Sequence, residues 1–179
     1  MRSSLAELNA GDRDAFVAVL GALFEHSPWV AAEAFDRRPF RDAAHLHAEL
    51  CAALHRAEPE RQLALIRAHP DLAGRLAGPQ TTGGLTAASA AEQASAGLDR
   101  LSAGERAELQ RLNEAYRARF GFPFLLCARG KDPAIIRQAL EARLPNPPAE
   151  EHATALGEIE KIAWLRLQDV LETPGRENR

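Results

Sequence analysis

The sequence predicts an all-α fold, a single compact domain of about eight helices with one short extended buried segment. Apolar residues recur at helical spacing along most of the chain. Prolines and glycines divide this pattern into pieces of ordinary helical length. No repeat, low-complexity block or linker separates the 179 residues, so we expect one domain over 1–179, with a frayed tail from about 174.

The first third of the chain predicts three helices. Between 12 and 25, apolar residues recur with helical spacing. Pro28 then suits the first turn of a second helix, because its missing N–H would have no partner there. Residues 42–57 place leucines every four positions, which indicates one buried stripe.

The next helix opens at Pro59 and should end near His69. Pro70 disfavours the helical conformation for the residue before it, so the helix cannot easily continue. One or two further turns are expected at 71–76, followed by a glycine-rich loop at 78–84.

The second half predicts four helices and the odd segment. The helices are expected at about 89–101, 103–119, 132–144 and 149–171. Residues 121–127 are apolar, short and broken by proline, which indicates an extended buried connector.

Composition excludes several classes of function. The formal charge is −3, whereas a nucleic-acid-binding protein needs a basic surface. We therefore expect no nucleic-acid partner. No apolar run approaches the roughly 20 residues that span a bilayer, so we expect no membrane contact. The N-terminus turns acidic at Glu7 before any apolar run, so no signal peptide is predicted and the cytoplasm is the expected compartment.

The residues that would hold a metal or cofactor are also scarce. Two cysteines are too few for a disulfide framework or a thiolate metal site. His45 and His47 lie two apart, on different sides of a helix, and complete no metal set. Schiff-base chemistry needs a lysine, and neither Lys131 nor Lys161 lies in a convincing site. We therefore expect no metal ion and no organic cofactor.

His69 is the first candidate for chemistry. It falls where one helix ends and another begins, so the backbone rather than a flexible loop aims its ring. A histidine titrates near neutrality and is the usual proton donor or acceptor. Alternatively, His69 caps the carbonyls of a helix C-terminus.

The segment from Ser89 to Gln93 has two compatible interpretations. Ser89 and Glu92 have the spacing of a capping box that starts a helix. Ser89, Glu92 and Gln93 also share one helix face, which continues with the small residues Ala96 and Gly97. Opposite a histidine, this face could bind a polar heterocycle.

Arg166 lies in the middle of an apolar stripe of the last helix. Ile159, Ile162, Ala163 and Val170 share that stripe at 100° per residue. A buried guanidinium needs an acidic partner or an anionic ligand. Glu92 or a substrate carboxylate would serve, and a purely structural ion pair is the alternative.

The connector at 121–127 raises a similar question. Extended backbone without a sheet partner leaves N–H and C=O groups to be satisfied. Neighbouring helix ends could satisfy them, or they could line a pocket and bind a planar polar ligand.

Four blocks in this order resemble the 2-oxo-4-hydroxy-4-carboxy-5-ureidoimidazoline (OHCU) decarboxylases of the uric acid pathway. The blocks are His69-Pro70-Asp71-Leu72-Ala73-Gly74, Ser89-Ala90-Ala91-Glu92-Gln93 with Ala96-Gly97-Leu98, Phe120-Gly121-Phe122-Pro123-Phe124 with Ala128-Arg129-Gly130, and Glu158-Ile159 with Lys161-Ile162-Ala163 and Leu165-Arg166-Leu167. His26-Ser27-Pro28-Trp29 fits the family's N-terminal block as well. Each motif is weak alone, but four in order are highly specific.

The resemblance implies an all-helical homodimer without metal or organic cofactor, with His69 as the catalytic acid/base. Glu92 and Arg166 complete the expected catalytic set, and we expect both to reach one pocket with His69. Substrate contacts are implied for Pro70, Ser89, Gln93 and the backbone of Phe124, Leu125, Leu126, Cys127 and Ala128. The 78–84 loop is slightly longer than the resemblance suggests.

The expected reaction is decarboxylation of the ureidoimidazoline to (S)-allantoin. The substrate can delocalise the developing negative charge into its own ring carbonyl and C=N system, so the protein needs only to bind, polarise and deliver a proton on one face. Two alternatives stay open. The chain could be an inactive helical module that binds a purine-like ligand or a protein partner, or a hydrolase that uses Glu92 and His69 on a related ureide.

Overall fold

The helices account for nearly all regular structure. The computed structural model describes residues 2–71 and 101–171. Within these ranges the helices are α1 (Leu5–Ala10), α2 (Arg13–Leu20), α3 (Trp29–Ala34), α4 (Ala43–Arg56), α5 (Pro59–Ala68), α6 (Ala103–Phe120), α7 (Pro133–Arg143) and α8 (Pro148–Val170). A 3₁₀ turn covers Phe35–Arg37. These residues form no β-strand beyond one isolated bridge, which confirms the all-α prediction.

Side-chain caps set where five of these helices begin. The caps are Ser4, Asp12, Asp42, Ser102 and Asp132, and each accepts a hydrogen bond from the backbone N–H three residues later. Each such cap contributes about 1 kcal/mol to helix stability. The predicted starts of α4, α6 and α7 therefore hold to within one residue.

Two N-terminal features differ from prediction. Helix α1 was not predicted, although Ser4 and Glu7 form a complete capping box. Helix α2 ends at Leu20 rather than near Glu25. A Cβ on Gly21 would lie 3.1 Å from the side chain of Pro28, so glycine permits a close approach where the chain turns.

Other boundaries agree with the sequence. Helix α5 ends at Ala68, directly before His69. Gly121 closes α6 in the left-handed conformation, at φ 73°, where glycine carries no Cβ penalty. The helix predicted at 89–101 and the loop at 78–84 lie outside the described residues, as does the 71–76 segment beyond Asp71.

The chain clusters into two compact units. The first comprises the residues up to Leu65 and those from Glu160 onward, and the second comprises Ile66–Ile159. The first buries Phe16, Leu20, Phe24, Leu46, Leu50 and Leu54. The second buries Leu109, Leu112, Tyr116, Phe124, Ile136 and Leu140. The single domain over 1–179 stays a prediction.

The connector after α6 belongs to the second unit. Residues 121–127 form no helix, and Phe122, Phe124 and Leu125 are buried, as predicted. The ring of Tyr116 packs edge-on against Phe124, with centroids 5.2 Å apart. None of the helices described above is both long and apolar enough to cross a membrane.

Candidate active site

His69 lies at the end of α5, in the second unit. It is 4% exposed, and its backbone N–H donates to the carbonyl of Ile66 at 3.3 Å. The helix therefore closes at the residue that the sequence singled out. Pro70 follows and is half-buried.

Asp71 anchors the segment that carries His69. Its Oδ2 accepts hydrogen bonds from Asn113 Nδ2 at 2.8 Å and from Arg117 Nη1 at 3.2 Å, both on α6. Asn113 is buried, whereas Arg117 is exposed. The short His-Pro-Asp segment is thus tied to α6 two residues beyond the histidine.

Charged side chains, rather than helix ends, take up several peptide groups of the connector. The carbonyl of Leu125 accepts from Arg143 Nη1 at 2.6 Å. The N–H of Cys127 donates to Glu158 Oε2 at 2.7 Å, and the carbonyl of Cys127 accepts from Lys131 Nζ at 2.6 Å. Protein side chains therefore already use three of the peptide groups that the sequence suggested for a ligand.

Arg143, which holds the carbonyl of Leu125, also belongs to a buried polar cluster around Glu151. Glu151 is fully buried and accepts hydrogen bonds from the Tyr116 hydroxyl, Arg143 Nε at 2.8 Å and Asn146 Nδ2 at 2.9 Å. The guanidinium of Arg143 also lies over the ring of Phe124, 4.7 Å from its centroid. Burial, and next the hydrogen bond to Glu151, raise the pKa of Tyr116 well above its usual value.

Of the five predicted backbone contacts, only one residue is accessible. Phe124, Leu125, Cys127 and Ala128 are buried, and Leu126 is half-buried. Sequence reasoning found the connector but missed Arg143, Glu158 and Lys131, which hold it. Each of these three side chains binds a peptide group of a different segment, and the spacing of apolar residues does not indicate such contacts.

Arg166 belongs to the first unit and is buried, as its position on the apolar stripe predicted. Its Nη1 donates to Glu25 Oε2 at 3.0 Å and to the carbonyl of Leu23 at 3.3 Å. Glu25 is an acidic partner that the sequence did not indicate, since 141 residues separate the two. The structure therefore contains the ion pair that the sequence offered as the alternative for Arg166.

Three predicted residues lie outside the described part of the chain. They are Ser89, Glu92 and Gln93. His69 and the connector belong to the second unit and Arg166 to the first. The shared pocket of His69, Glu92 and Arg166 therefore stays a prediction.

A second group of polar side chains lines one face of α4 in the first unit. His47 Nε2 hydrogen-bonds the carbonyl of Glu160 at 2.9 Å, and His55 Nε2 pairs with the carboxylate of Glu160. Burial and the negative charge of Glu160 raise the pKa of Cys51 to about 12, so this thiol is a poor nucleophile. Within 2–71 and 101–171, no three His, Cys, Asp or Glu side chains are placed to hold a metal ion.

Comparison with known proteins gives the family. Residues 9–168 match the family model described as OHCU decarboxylase. The chain is 44% identical over 166 residues to the OHCU decarboxylase of Haloferax volcanii. The aligned region covers 93% of this chain and 95% of that protein. It is 39% identical over 172 residues to a uric acid degradation bifunctional protein of Bacillus subtilis, covering 96% of this chain and 33% of that one.

The fold agrees with a solved relative. The structure of an (S)-allantoin synthase superposes with a TM-score of 0.74 at 28% identity and covers 96% of this chain. This chain spans 55% of the length of that synthase. Since the family model matches most of the residues, the chain belongs to the OHCU decarboxylase family.

Proposed function

We propose that this chain decarboxylates OHCU to (S)-allantoin in urate degradation, without a metal or organic cofactor. The observation that carries the proposal is the buried His69, held at the end of α5 and tied through Asp71 to α6, in a chain of this family. A buried histidine with a defined backbone position is suited to deliver a proton from one side. Delivery from one side gives one enantiomer of the product.

The chemistry needs little from the protein. The bond between the ring carbon and its carboxyl group breaks, CO₂ leaves, and the electron pair is delocalised into the ring carbonyl and C=N system. His69 then donates a proton to carbon, and solvent restores the proton to the imidazole. Fixed donors that face the developing negative charge lower the barrier further.

Arg166 is our proposed donor to an anionic or carbonyl oxygen of the substrate. Its burial favours this role, because a charge–charge contact is stronger away from water. We propose that Glu92 orients His69 or the substrate hydroxyl, and that Pro70, Ser89 and Gln93 contact the substrate. These assignments rest on the family resemblance.

The connector supplies a further wall in this proposal. Leu126 is half-buried, whereas the other four predicted contacts are buried; these are Phe124, Leu125, Cys127 and Ala128. Arg143 and Glu158 already hold the flanking peptide groups. We therefore propose that the N–H and the C=O of Leu126, the other halves of these two peptide groups, make the principal backbone contact with the substrate.

The direct test is rapid mixing of the purified protein with freshly generated OHCU, with circular dichroism of the allantoin formed. We expect one enantiomer from the wild type, and a rate at least about 10²-fold lower from His69→Asn, since positioned proton transfer contributes that much. His152→Asn is the matched control, because His152 is a half-buried histidine of the same unit and should leave the rate unchanged. A wild-type rate from folded His69→Asn would remove His69 from the mechanism.

The same assay separates the alternatives. CO₂ release identifies the decarboxylase, whereas hydrolysis of the ureido group would release ammonia or urea and identify a ureide hydrolase. Binding without turnover would identify an inactive binding module. Exhaustive chelation should leave the rate unchanged, and recovery of a lost rate by a divalent ion would contradict the cofactor-free mechanism.

We further propose that the protein acts as a homodimer in the cytoplasm. The dimer follows from the family resemblance, and the cytoplasm is the compartment that the sequence pattern favours. Light scattering coupled to size-exclusion chromatography tests the dimer, and a monomer as the active species would contradict it.

A further inference from the structure

We propose that Glu25 is a positioning residue for Arg166, and that it fixes the plane of the guanidinium for the substrate. This inference rests on the proposed function, and in particular on the role of Arg166 there. Glu25 lies outside every motif that the sequence analysis assigned to the site.

The first support is the contact itself. Glu25 Oε2 and the carbonyl of Leu23 both meet Nη1 of Arg166, at 3.0 and 3.3 Å. Only 1% of the Glu25 side chain and 5% of the Arg166 side chain is exposed. Two acceptors from one short stretch of chain thus hold the same nitrogen, which restricts the rotation of a long side chain.

The second support is the backbone around Glu25. His26 has φ 48° and is the one non-glycine residue with positive φ in the described ranges. His26 is exposed, whereas Glu25 and Ser27 on either side of it are buried. The left-handed turn at His26 allows both neighbours to face inward, although this conformation is unfavourable for an L-residue. The chain thus adopts an unfavourable backbone conformation at His26, directly after the residue whose carboxylate binds Arg166.

The third support is the charge. Arginine stays protonated in proteins, so a buried guanidinium needs a permanent anion between turnovers. A substrate that comes and goes cannot supply one. Glu25 supplies this charge without moving, and Arg166 stays in one orientation before the substrate arrives. Misplacement of a substrate-binding group by about 1 Å can cost about 10²-fold in rate.

The test is a double-mutant cycle on kcat/KM with Glu25→Ala, Arg166→Met and the double variant. We expect Glu25→Ala to lower kcat/KM by about 10- to 100-fold. The loss should divide between kcat and KM in the same proportion as in Arg166→Met. In the Arg166→Met background, Glu25→Ala should change kcat/KM by less than about twofold, because the residue through which it acts is gone.

Glu25→Gln and Glu25→Asp separate positioning from packing. The glutamine keeps the length and one acceptor oxygen but removes the charge, whereas the aspartate keeps the charge and withdraws it by one methylene. Both variants should therefore lose activity, and each should lose less than Glu25→Ala. Leu46→Ala is the control for lost stability, since Leu46 is buried in the same unit and is not among the residues assigned to the site. It should lower Tm and leave kcat and KM unchanged at temperatures where it is folded.

The outcomes distinguish this inference from the proposed function. If Glu25→Ala does not fold, the cycle is run with Glu25→Asp. If the folded Glu25 variants lose only Tm, or if their losses multiply with that of Arg166→Met, Glu25 does not act through Arg166. If the wild type makes no allantoin, or if Arg166→Met keeps full activity, the fault lies in the proposed function or in the role of Arg166.

Discussion

Two arginine–glutamate pairs with a buried glutamate, one in each unit, show different uses of the same chemistry. Arg143 and Glu151 lie eight residues apart, on consecutive helices joined across a proline-rich break. Glu25 and Arg166 are 141 residues apart. Arg143 also holds the carbonyl of Leu125, so the short-range pair is part of the support for the connector. The long-range pair instead holds an arginine that we assign to the substrate.

Stability alone cannot separate these roles. Removal of one partner from either pair leaves a buried or half-buried charge without its counter-charge, which destabilises the fold. The difference should appear in the activity of the molecules that remain folded. Variants of the two pairs therefore need both an unfolding measurement and a kinetic one.

The largest expected effect is on Arg166. We expect Arg166→Met to lower kcat/KM by about 10²- to 10³-fold, the usual cost of removing a donor to developing negative charge. Arg166→Lys should also be strongly impaired, because a point charge does not reproduce the planar fork of a guanidinium. The measurement is kcat/KM from initial rates of allantoin formation.

Arg143→Met is the matched variant in the other unit. It should lose stability and retain more of its kcat/KM than Arg166→Met, since it contacts the connector at the carbonyl of Leu125 and the ring of Phe124 and is not assigned to the substrate. Equal kinetic losses in the two variants would remove the distinction between the pairs.

The next effect is on Glu151. We expect Glu151→Ala to reduce the free energy of unfolding by about 3–5 kcal/mol, because it leaves the Arg143 guanidinium without its carboxylate. Glu141→Ala on α7 is the control. Glu141 pairs with Arg137 on the exposed surface, where an i,i+4 pair contributes only about 0.3–0.5 kcal/mol. Denaturant unfolding measures the free energy of unfolding of both variants. Similar losses would mean that the buried cluster stabilises the fold no more than the exposed pair does.

Local signals predicted much of the fold. The caps at Asp42, Ser102 and Asp132 lie within one residue of the expected starts of helices. Pro70 correctly predicted the end of α5. Helix α2 ends at Leu20, and Pro28 approaches Gly21 closely just after it. Periodicity contains no information on packing between two elements.

The site was less accessible to sequence reasoning. Periodicity showed that Arg166 is buried, because one charged residue on an apolar stripe is visible locally. It did not show Glu25, because the partner of a buried charge can lie anywhere along the chain. The connector was recognised from its composition, whereas Arg143 and Glu158, which hold its peptide groups, carry no local signal of that role.

The smallest effect concerns alkaline pH, and it compares one titrating group in each unit. Burial and Glu160 raise the pKa of Cys51 from 9.0 to about 12, and burial and Glu151 raise the pKa of Tyr116 above 10.0. In the unfolded chain each group loses its proton earlier than in the folded chain. The stability from each group is therefore complete below its unfolded pKa and falls as pH rises through the window up to its folded pKa.

We therefore expect the free energy of unfolding to decline above about pH 9, first through Cys51 and then, above about pH 10, through Tyr116 as well. Cys51→Ser should flatten the first part of the decline, and Tyr116→Phe the second, in denaturant unfolding from pH 8 to 11. Tyr116 is the only tyrosine in the chain, so phenolate absorbance reports on its titration alone. If the phenolate forms near pH 10 in the folded protein, the second unit does not protect this hydroxyl, and the buried cluster around Glu151 is looser than its hydrogen bonds indicate.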